Sequence, residues 1–252
     1  MNKAMARYQV ILAYDGTGFT GSQKQASSRT VQGELERALY NLGWSGKSVI
    51  MAGRTDTGVH ATGQVAAFDF EWTHSADKLL RALNADLPSD LVISSLLPAS
   101  ADSHPRFDAV SRRYRYRLIC KQIRDPLRDK FVWRVWPEMD ADILKQNASI
   151  FLGTHDFAAI GSPTTPKGTT VRTVTKAEWK KMPDGEWQFE VQADAFLYRM
   201  VRRMVFVQVS VAQGKCSVEK VQHALSKQGK LLAGLAPAHG LTLVEVQYGS
   251  RD

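Results

Sequence analysis

The sequence predicts an α+β protein in which mixed, mostly antiparallel sheets are backed by helices. Two observations predict this class: short segments alternate apolar and polar residues as β-strands do, and longer stretches carry apolar residues at helical spacing. In the first half these segments follow in the order strand, helix, strand, strand, helix, strand, and the second half repeats this coarse plan. The 252 residues, of which 44% are hydrophobic, can hold one large domain or two modest ones.

Four strands are predicted in the first half, at residues 8–14, 48–51, 64–70 and 91–97. Thr30 is a good N-cap for the first helix, whose apolar face ends shortly before Gly43. Gln32 and Glu34 are expected to point outward from this helix. The second helix carries three leucines, Leu79, Leu80 and Leu83.

In the second half, Asp140 is predicted to cap a helix, and residues 171–181 and 186–193 are predicted to form paired strands. The following helix has an apolar stripe at helical spacing, formed by Met200, Met204, Val207 and Val211. A last helix capped by Ser217 precedes a final strand at residues 236–246.

Composition restricts the function classes. The net charge of +8, with a pI near 9.5, favours a polyanionic partner. No apolar run approaches the ~18 residues of a membrane span and no apolar signal segment opens the chain, so we expect a cytoplasmic protein that does not bind a membrane. The two cysteines, Cys120 and Cys216, offer neither a disulfide framework nor the spacing of a metal site.

The segment Ala-Gly-Arg-Thr-Asp-Thr-Gly-Val-His at residues 52–60 follows one predicted strand and precedes another, and its glycines indicate a tight, exposed connection. Asp56 therefore lies on a loop beside Arg54, whose positive charge favours the ionised carboxylate. Such a carboxylate can act as a nucleophile, a base or a metal ligand. The alternative is that Asp56 only caps this turn through its side chain.

The segment 53–60, continued by Gly63 and Gln64, closely resembles the catalytic loop of the TruA family of tRNA pseudouridine synthases, in which the aspartate is essential. The residues at the end of the first strand and after it resemble the first signature of the same family: Tyr14, Asp15, Gly16, Thr17, Phe19, Gly21, Gln23 and Gln25. That pattern usually carries Trp where this chain has Ser22. The resemblance implies that Asp56 is the catalytic residue.

A second informative stretch spans residues 106–117. On a strand, its alternation places arginines on one face and mainly aromatic residues on the other. The cationic face comprises Arg113, Arg115 and Arg117, and the opposite face Tyr114, Tyr116 and Leu118. Cations for phosphates and rings for an unpaired base suit single-stranded or loop RNA, whereas a surface strand with solvated arginines is the alternative. The resemblance places Tyr114 opposite the target uracil, where we expect it to act as a third catalytic residue beside Asp56 and Arg202, stacking on the base and taking the final C5 proton.

Three arginines lie off the apolar stripe of the helix near residue 200: Arg199, Arg202 and Arg203. Cations at a helix start are unfavourable for its dipole, which indicates a negative partner. In the family, the arginine after Met-Val pairs with the catalytic aspartate, so the resemblance implies an ion pair between Arg202 and Asp56. The usual glycines inside this helix are replaced by Phe206 and Ser210.

The resemblance spans nearly the whole chain and implies the pseudouridine synthase fold, with two α/β domains, at residues 1–108 and 109–252, that meet in a central basic cleft. It also implies a homodimer that binds one tRNA and converts uridine to pseudouridine in the anticodon stem-loop, at tRNA positions 38 to 40, after base flipping. No metal, nucleotide or other cofactor is expected. Arg54 is expected to fill the place of the flipped base, and the other expected substrate contacts are Thr55, His60, Arg113, Tyr114 and Arg115.

Other interpretations of the motifs are weaker. Residues 16–21 formally fit a dinucleotide-binding glycine pattern, but no helix begins there. Residues 56–58 spell the Asp-Thr-Gly of aspartic proteases, which need two such carboxylates. A metal-dependent hydrolase would need more ligands than Asp56 and His60. A non-catalytic tRNA-binding protein is the serious alternative, although it has no use for a carboxylate among its cations.

Overall fold

The predicted α+β class is confirmed by a computed structural model of the protein, which describes residues 5–163, 165, 168–227 and 229–249. Strands and helices fall into two compact units, residues 1–110 with 243–252 and residues 111–242. The segment 243–252, which the sequence-based division placed in the second half, therefore groups with the first unit. No helix in the described ranges has the length and apolar character needed to cross a membrane.

The first unit is built on five strands: β1 (Ala6–Tyr14), β2 (Ile50–Met51), β3 (His60–Phe70), β4 (Leu91–Ala99) and most of β10 (Leu241–Tyr248). The strand order is β4-β1-β3-β10, and the short β2 pairs with β3. β1 runs antiparallel to both β3 and β4, so Val10 lies opposite Ala66 on one side and Leu96 on the other. All three of these side chains are buried in the core of the unit.

Two helices belong to this unit, α1 (Val31–Asn41) and α2 (Ala76–Asp86). α2 packs against β4 and α1. Their four fully buried leucines are Leu35, Leu39, Leu79 and Leu83. As predicted, Thr30 caps α1, because its hydroxyl oxygen accepts the N–H of Gly33 at 3.2 Å.

The prediction that Gln32 points outward is wrong. Its side chain is buried, and its amide nitrogen donates to the Glu36 carboxylate at 2.8 Å and to the Val49 carbonyl at 3.1 Å. The buried Glu36 carboxylate in turn accepts the N–H of Val49 at 3.0 Å. The segment before β2 brings backbone polar groups into the interior, and buried groups of this kind need hydrogen-bond partners. Two polar residues of α1 supply those partners.

Some strand ends also differ from the predictions. β3 begins at His60 rather than at Gln64, and β10 begins at Leu241 rather than at residue 236. Gly63, which had indicated a loop, lies inside β3, where a Cβ atom would come within 2.1 Å of the Val244 carbonyl oxygen. The glycine therefore permits the close approach of two strands instead of marking a turn.

The second unit contains the strands β5 (Ala109–Cys120, from residue 111), β6 (Trp133–Val135), β7 (Gly153–Asp156), β8 (Val171–Lys181) and β9 (Glu186–Ala193). The order β5-β9-β8-β7 is antiparallel throughout, and β6 pairs with β5 in parallel. The predicted bounds of β8 and β9 are confirmed. The inward side chains of β9 are buried, namely Trp187, Phe189 and Val191.

Three helices complete this unit: α3 (Ala141–Ala148), α4 (Met200–Ala212) and α5 (Val218–Lys227). α4 packs against α3, and its predicted apolar stripe is buried. The predicted caps are also present. Asp140 accepts the N–H groups of Asp142 and Ile143, and Ser217 accepts the N–H of Lys220 at 3.3 Å.

Candidate functional site

The loop that carries Asp56 joins β2 to β3 in the first unit. Asp56 is half-buried, and its backbone carbonyl oxygen accepts the N–H of Val59 at 3.1 Å. Gly58 has φ +79°, a left-handed conformation that suits glycine and closes this turn. The fold therefore presents Asp56 at the first position of a tight turn, as the sequence predicted.

Arg54 and Thr55, which precede Asp56, have opposite environments. Arg54 is exposed and makes no hydrogen bond or ion pair within the part of the chain that the structure describes. Its guanidinium group is therefore available to an external partner. Thr55 is buried, and its hydroxyl group hydrogen-bonds to the phenol of Tyr14 at 2.9 Å.

The backbone of Thr55 is held by Ser22, a residue 33 positions away. The hydroxyl oxygen of Ser22 accepts the N–H of Thr55 at 2.8 Å, and the N–H of Ser22 donates to the Thr55 carbonyl at 3.1 Å. With the Tyr14 contact, the hydroxyl, N–H and carbonyl groups of Thr55 are all paired within the first unit. The residue directly before Asp56 is consequently anchored at three points.

Tyr14 is fully enclosed, and burial raises its pKa to about 12 although hydrogen bonds with Thr55 and Gln64 oppose that rise. Its phenol therefore stays neutral at physiological pH and can maintain the bond to Thr55. Gln64 is also buried, and its amide nitrogen donates to the Gly53 carbonyl at 2.9 Å. The start of the loop is thus fastened to β3.

His60 is buried at the end of the loop. Its Nδ1 accepts the N–H of Gly16 at 2.9 Å and lies 3.2 Å from a carboxylate oxygen of Asp15. His60 therefore connects the loop to the segment that follows β1. Substrate contact by His60 or Thr55 stays a prediction.

Tyr114 lies on β5 in the second unit. It is half-buried, and its ring meets that of Phe196 edge to face, with centroids 5.1 Å apart. Tyr116 and Leu118, on the same predicted face, are fully buried, and the Tyr116 hydroxyl donates to the Pro237 carbonyl at 2.8 Å. Of the three residues, Tyr114 alone keeps a partly accessible surface, while the other two belong to the core.

The opposite face of β5 carries the predicted arginines, but it also carries acidic partners from β9. Glu190 lies opposite Arg115 in the strand register and accepts from it at 2.7 Å, with Arg113 at 3.5 Å. Lys176 approaches the same carboxylate at 2.8 Å, and Arg117 pairs with Glu186 at 2.6 Å. The cationic face is therefore partly neutralised by the protein itself.

The Glu190 carboxylate responds strongly to these cations. Partial burial alone would raise its pKa, but hydrogen bonds and charges of Lys176 and Arg115 outweigh burial and lower the pKa to about 2. Glu190 is thus ionised throughout the physiological range. Direct RNA contact by Arg113 and Arg115 stays a prediction.

Arg202 lies in the first turn of α4. The helix begins after Arg199, a non-glycine residue with φ +62°, whose guanidinium group lies over the ring of Tyr198. The Nε of Arg202 donates to the Ala236 carbonyl at 2.8 Å, and the N–H of Ala236 donates to the Arg202 carbonyl. The base of the side chain is consequently fixed to the segment before β10.

Sequence analysis missed two residues that the structure makes prominent. Ser22 was noted only as the replacement of an aromatic residue, and nothing in the sequence pairs it with Thr55. Glu190 was read only as part of a strand. The sequence contained part of the information. Glu190 alternates with buried aromatic residues on its strand, and an acidic residue in such a position can pair with arginines on the neighbouring strand.

A groove of about 840 Å³ lies elsewhere in the second unit, where α3, the end of α4 and the start of α5 meet. Its lining includes Asn147, Lys215 and Lys220, and none of the predicted site residues. Among the residues with described positions, no three His, Cys, Asp or Glu side chains cluster in a way that could hold a metal ion.

Comparison with known proteins gives a consistent family. A family profile described as tRNA pseudouridine synthase matches residues 10–108 and 148–249. Proteins named tRNA pseudouridine synthase A are 41% identical in Chloroflexus aurantiacus, 38% in Acetivibrio thermocellus and 37% in Shouchella clausii. Each alignment covers 97% of this chain, and covers 89%, 100% and 94% of the respective relatives.

Among solved structures, a chain of a Cbf5-Nop10-Gar1 complex gives a TM-score of 0.34 with 14% identity, covering 81% of this chain and 45% of that one. That likeness is too low to support a conclusion. The family profile, by contrast, includes the loop at residues 52–60 and also Arg202, but leaves out residues 109–147 and therefore Tyr114.

Proposed function

The chain belongs to the tRNA pseudouridine synthase family, whose members are isomerases that act on tRNA, and we propose that it converts uridine in the anticodon stem-loop with Asp56 as the catalytic residue. The observation that carries this proposal is the family match across the Asp56 loop, together with the three-point anchoring of the residue before Asp56. Arg202 is proposed as a catalytic residue on the same match.

Tyr114 is proposed to stack on the uracil. Its support differs, because the family profile does not include its segment. The resemblance of the Arg-Tyr stretch and the half-buried position of this ring support the assignment, since stacking on a base requires an accessible aromatic face. Tyr116, two residues further along the same strand, is fully buried, so its ring offers no face on which a base could stack.

The proposed reaction begins when the target uridine leaves its stack, at a cost of a few kcal/mol that contacts to the flipped nucleotide offset. We propose that Arg54 fills the vacated place, because its guanidinium group is exposed and unpaired in the described part of the chain. The N1–C1′ bond then breaks, the uracil rotates, and a C5–C1′ bond forms. The proton on C5 is released to complete the isomerisation.

Two first steps fit a carboxylate at this position. Asp56 either attacks C1′ as N1 leaves, forming an ester that breaks when C5 bonds to C1′, or removes the C2′ proton so that the base leaves by elimination and returns this proton to C2′ when C5 bonds to C1′. A tRNA deuterated at the ribose C2′ separates the two routes, because only proton removal breaks that bond. A primary isotope effect on the single-turnover rate indicates proton removal, and its absence indicates attack.

The test of the function uses tRNA transcripts carrying tritium at C5 of uridine, because pseudouridine formation releases that label. We expect the wild-type protein to release tritium and the modified positions to map to the anticodon stem-loop. Asp56→Asn is expected to lose the activity while binding tRNA with similar affinity. Asp77→Asn changes an exposed carboxylate of the same unit and is expected to keep the rate.

Three results bear against the proposal. Retained turnover in Asp56→Asn would remove the catalytic role of Asp56. Modification only outside the anticodon stem-loop would remove the proposed position. Tight tRNA binding without turnover by the wild-type protein would favour a binding function.

The homodimer, which the resemblance implies, and the cytoplasmic location, which the distribution of apolar residues in the sequence favours, are also proposals. Sedimentation equilibrium of the full chain tests the first, with a mass of twice 28.1 kDa expected. Cell fractionation tests the second.

A further inference from the structure

Ser22 connects α1 to the loop of Asp56. Its side chain has no solvent-exposed surface, and its carbonyl oxygen accepts the N–H of Gln32, in the first turn of α1, at 2.9 Å. In the other direction, Ser22 makes the two hydrogen bonds to the backbone of Thr55. A continuous set of bonds therefore runs from a packed helix through Ser22 to the residue before Asp56.

The hydroxyl group of Ser22 has a defined task. The N–H of Thr55 lies in a buried environment, where a backbone donor without a hydrogen-bond partner is destabilising. The Ser22 oxygen accepts that N–H at 2.8 Å. The Ser22 side chain therefore fastens the loop directly at the residue before Asp56.

Gly21 makes the approach possible. Its φ of +82° is a left-handed conformation, and a Cβ atom there would lie 2.9 Å from the Thr55 carbonyl oxygen. The glycine brings the backbone of Ser22 close enough to Thr55 for the two-way contact. Gly21 therefore permits the close approach, and Ser22 makes the hydrogen bonds to the loop.

We propose that Ser22 is a positioning residue for the reaction, which fixes the main chain before Asp56 so that the carboxylate is presented in a single orientation. This inference rests on the proposed function of Asp56. A displacement of about 1 Å at a reacting group can cost on the order of a hundredfold in rate. Loss of the Ser22 oxygen therefore lowers the rate of the chemical step more than it weakens tRNA binding.

The experiment compares Ser22→Ala with the wild-type protein in single-turnover tritium release and in tRNA binding. We expect the rate to fall at least tenfold, with the dissociation constant unchanged within about twofold. Hydrogen exchange gives a second readout, since the amide of Thr55 is expected to exchange at least tenfold faster in the variant. Should the alanine variant fail to fold, Ser22→Cys keeps the volume with a weaker acceptor and is expected to show a smaller loss of the same kind.

A control isolates the effect of Ser22. Ser103→Ala removes another buried hydroxyl group of the first unit, one that donates to the Ser100 carbonyl at 2.7 Å, and is expected to keep the wild-type rate. A wild-type rate in Ser22→Ala or in a folded Ser22→Cys overturns the proposal, as does a loss in Ser103→Ala equal to that in Ser22→Ala.

Failure of the inference and failure of the proposed function give different results. If Asp56→Asn is inactive while Ser22→Ala keeps the wild-type rate, only the role of Ser22 is wrong. If Asp56→Asn keeps its rate, the proposed function of Asp56 is wrong, and the positioning role falls with it.

Discussion

At the scale of single residues, Arg54 and Thr55 show how one short loop divides its tasks. Thr55 faces inward and gives its hydroxyl, N–H and carbonyl groups to Tyr14 and Ser22, whereas Arg54 is exposed. The inward residue fixes the geometry of the loop, and the outward residue is left to meet a partner. Asp56 follows immediately. Its backbone is attached to the anchored Thr55, and its side chain stays partly exposed.

Arg54→Ala is expected to lower the single-turnover rate about a hundredfold while weakening tRNA binding less than about tenfold. A residue that fills the place of the flipped base stabilises the reactive arrangement more than the encounter, so rate and affinity separate. Because Arg54 is exposed, the thermal unfolding temperature of the variant should stay within about 1 °C of the wild-type value. Arg81→Ala, at another exposed arginine of the first unit without a partner in the described ranges, is the control. Equal losses in the two variants would assign Arg54 to general charge attraction.

The residues of the site were predictable from the sequence to different degrees. Asp56 on a tight loop follows from local signals, since the flanking glycines and apolar runs indicate a turn between strands. Ser22 was not predictable, because its role depends on an approach between segments 33 positions apart that no local pattern encodes. The prediction that Gln32 points outward was wrong for a related reason. Helical periodicity indicates which face of α1 is apolar, but it does not show that the buried backbone of Val49 needs a polar partner from that helix.

At the scale of elements, the pairing of β5 with β9 determines the charge around the arginines of β5. The alternation of arginine and tyrosine correctly predicted two faces, but the partner strand supplies Glu190 and Glu186 to the cationic one. Register could not be read from the sequence, because it depends on which strand becomes the neighbour. The arginines are therefore held in place by carboxylates of the neighbouring strand.

Glu190→Gln is expected to lower the free energy of unfolding at pH 7 by on the order of 1 kcal/mol. The pKa of this carboxyl group falls from 4.5 to about 2 on folding, so its contribution to stability is present above pH 4.5 and is lost as the pH falls through about 2. The difference between variant and wild type should therefore shrink between pH 4.5 and 2, measured by denaturant unfolding at several pH values. Glu71→Gln, at an exposed residue, is the control. A difference that stays constant with pH would contradict the role of the ionised carboxylate.

The helix α4 carries two adjacent arginines with different surroundings. Arg202 donates through Nε to the Ala236 carbonyl at 2.8 Å. Arg203 donates through Nη1 to the carbonyls of Leu232 and Gly234. Both residues lie near the start of the helix, where positive charge opposes the helix dipole. The difference in contacts makes the pair a natural comparison.

Arg202→Ala is expected to reduce the single-turnover rate by on the order of a thousandfold, because Arg202 is proposed as a catalytic residue and the loss of a catalytic cation acts on the chemical step. The circular dichroism spectrum and tRNA affinity should change little. Arg203→Ala is the matched control and is expected to stay within about threefold of the wild-type rate. Similar losses in both variants would indicate disruption of α4 and would remove the specific role of Arg202.

At the scale of the whole molecule, the net charge of +8 predicts how tRNA binding responds to salt. Arginines and lysines that contact phosphates release condensed counterions, so the logarithm of the affinity falls linearly with the logarithm of the salt concentration, by about 0.7 to 0.9 per contact. Two or more such contacts require the dissociation constant to rise at least about sevenfold between 50 and 200 mM salt.

Fluorescence anisotropy with labelled tRNA measures this dependence, and thermal unfolding over the same salt range shows whether the fold itself responds. A steep slope with a constant unfolding temperature assigns the effect to phosphate contacts. Because ion pairs with Glu190 and Glu186 already occupy part of the cationic face of β5, the slope should be smaller than the total charge suggests. An affinity that does not change with salt would mean that base stacking and shape alone hold the RNA, and the basic composition would then have no part in substrate binding.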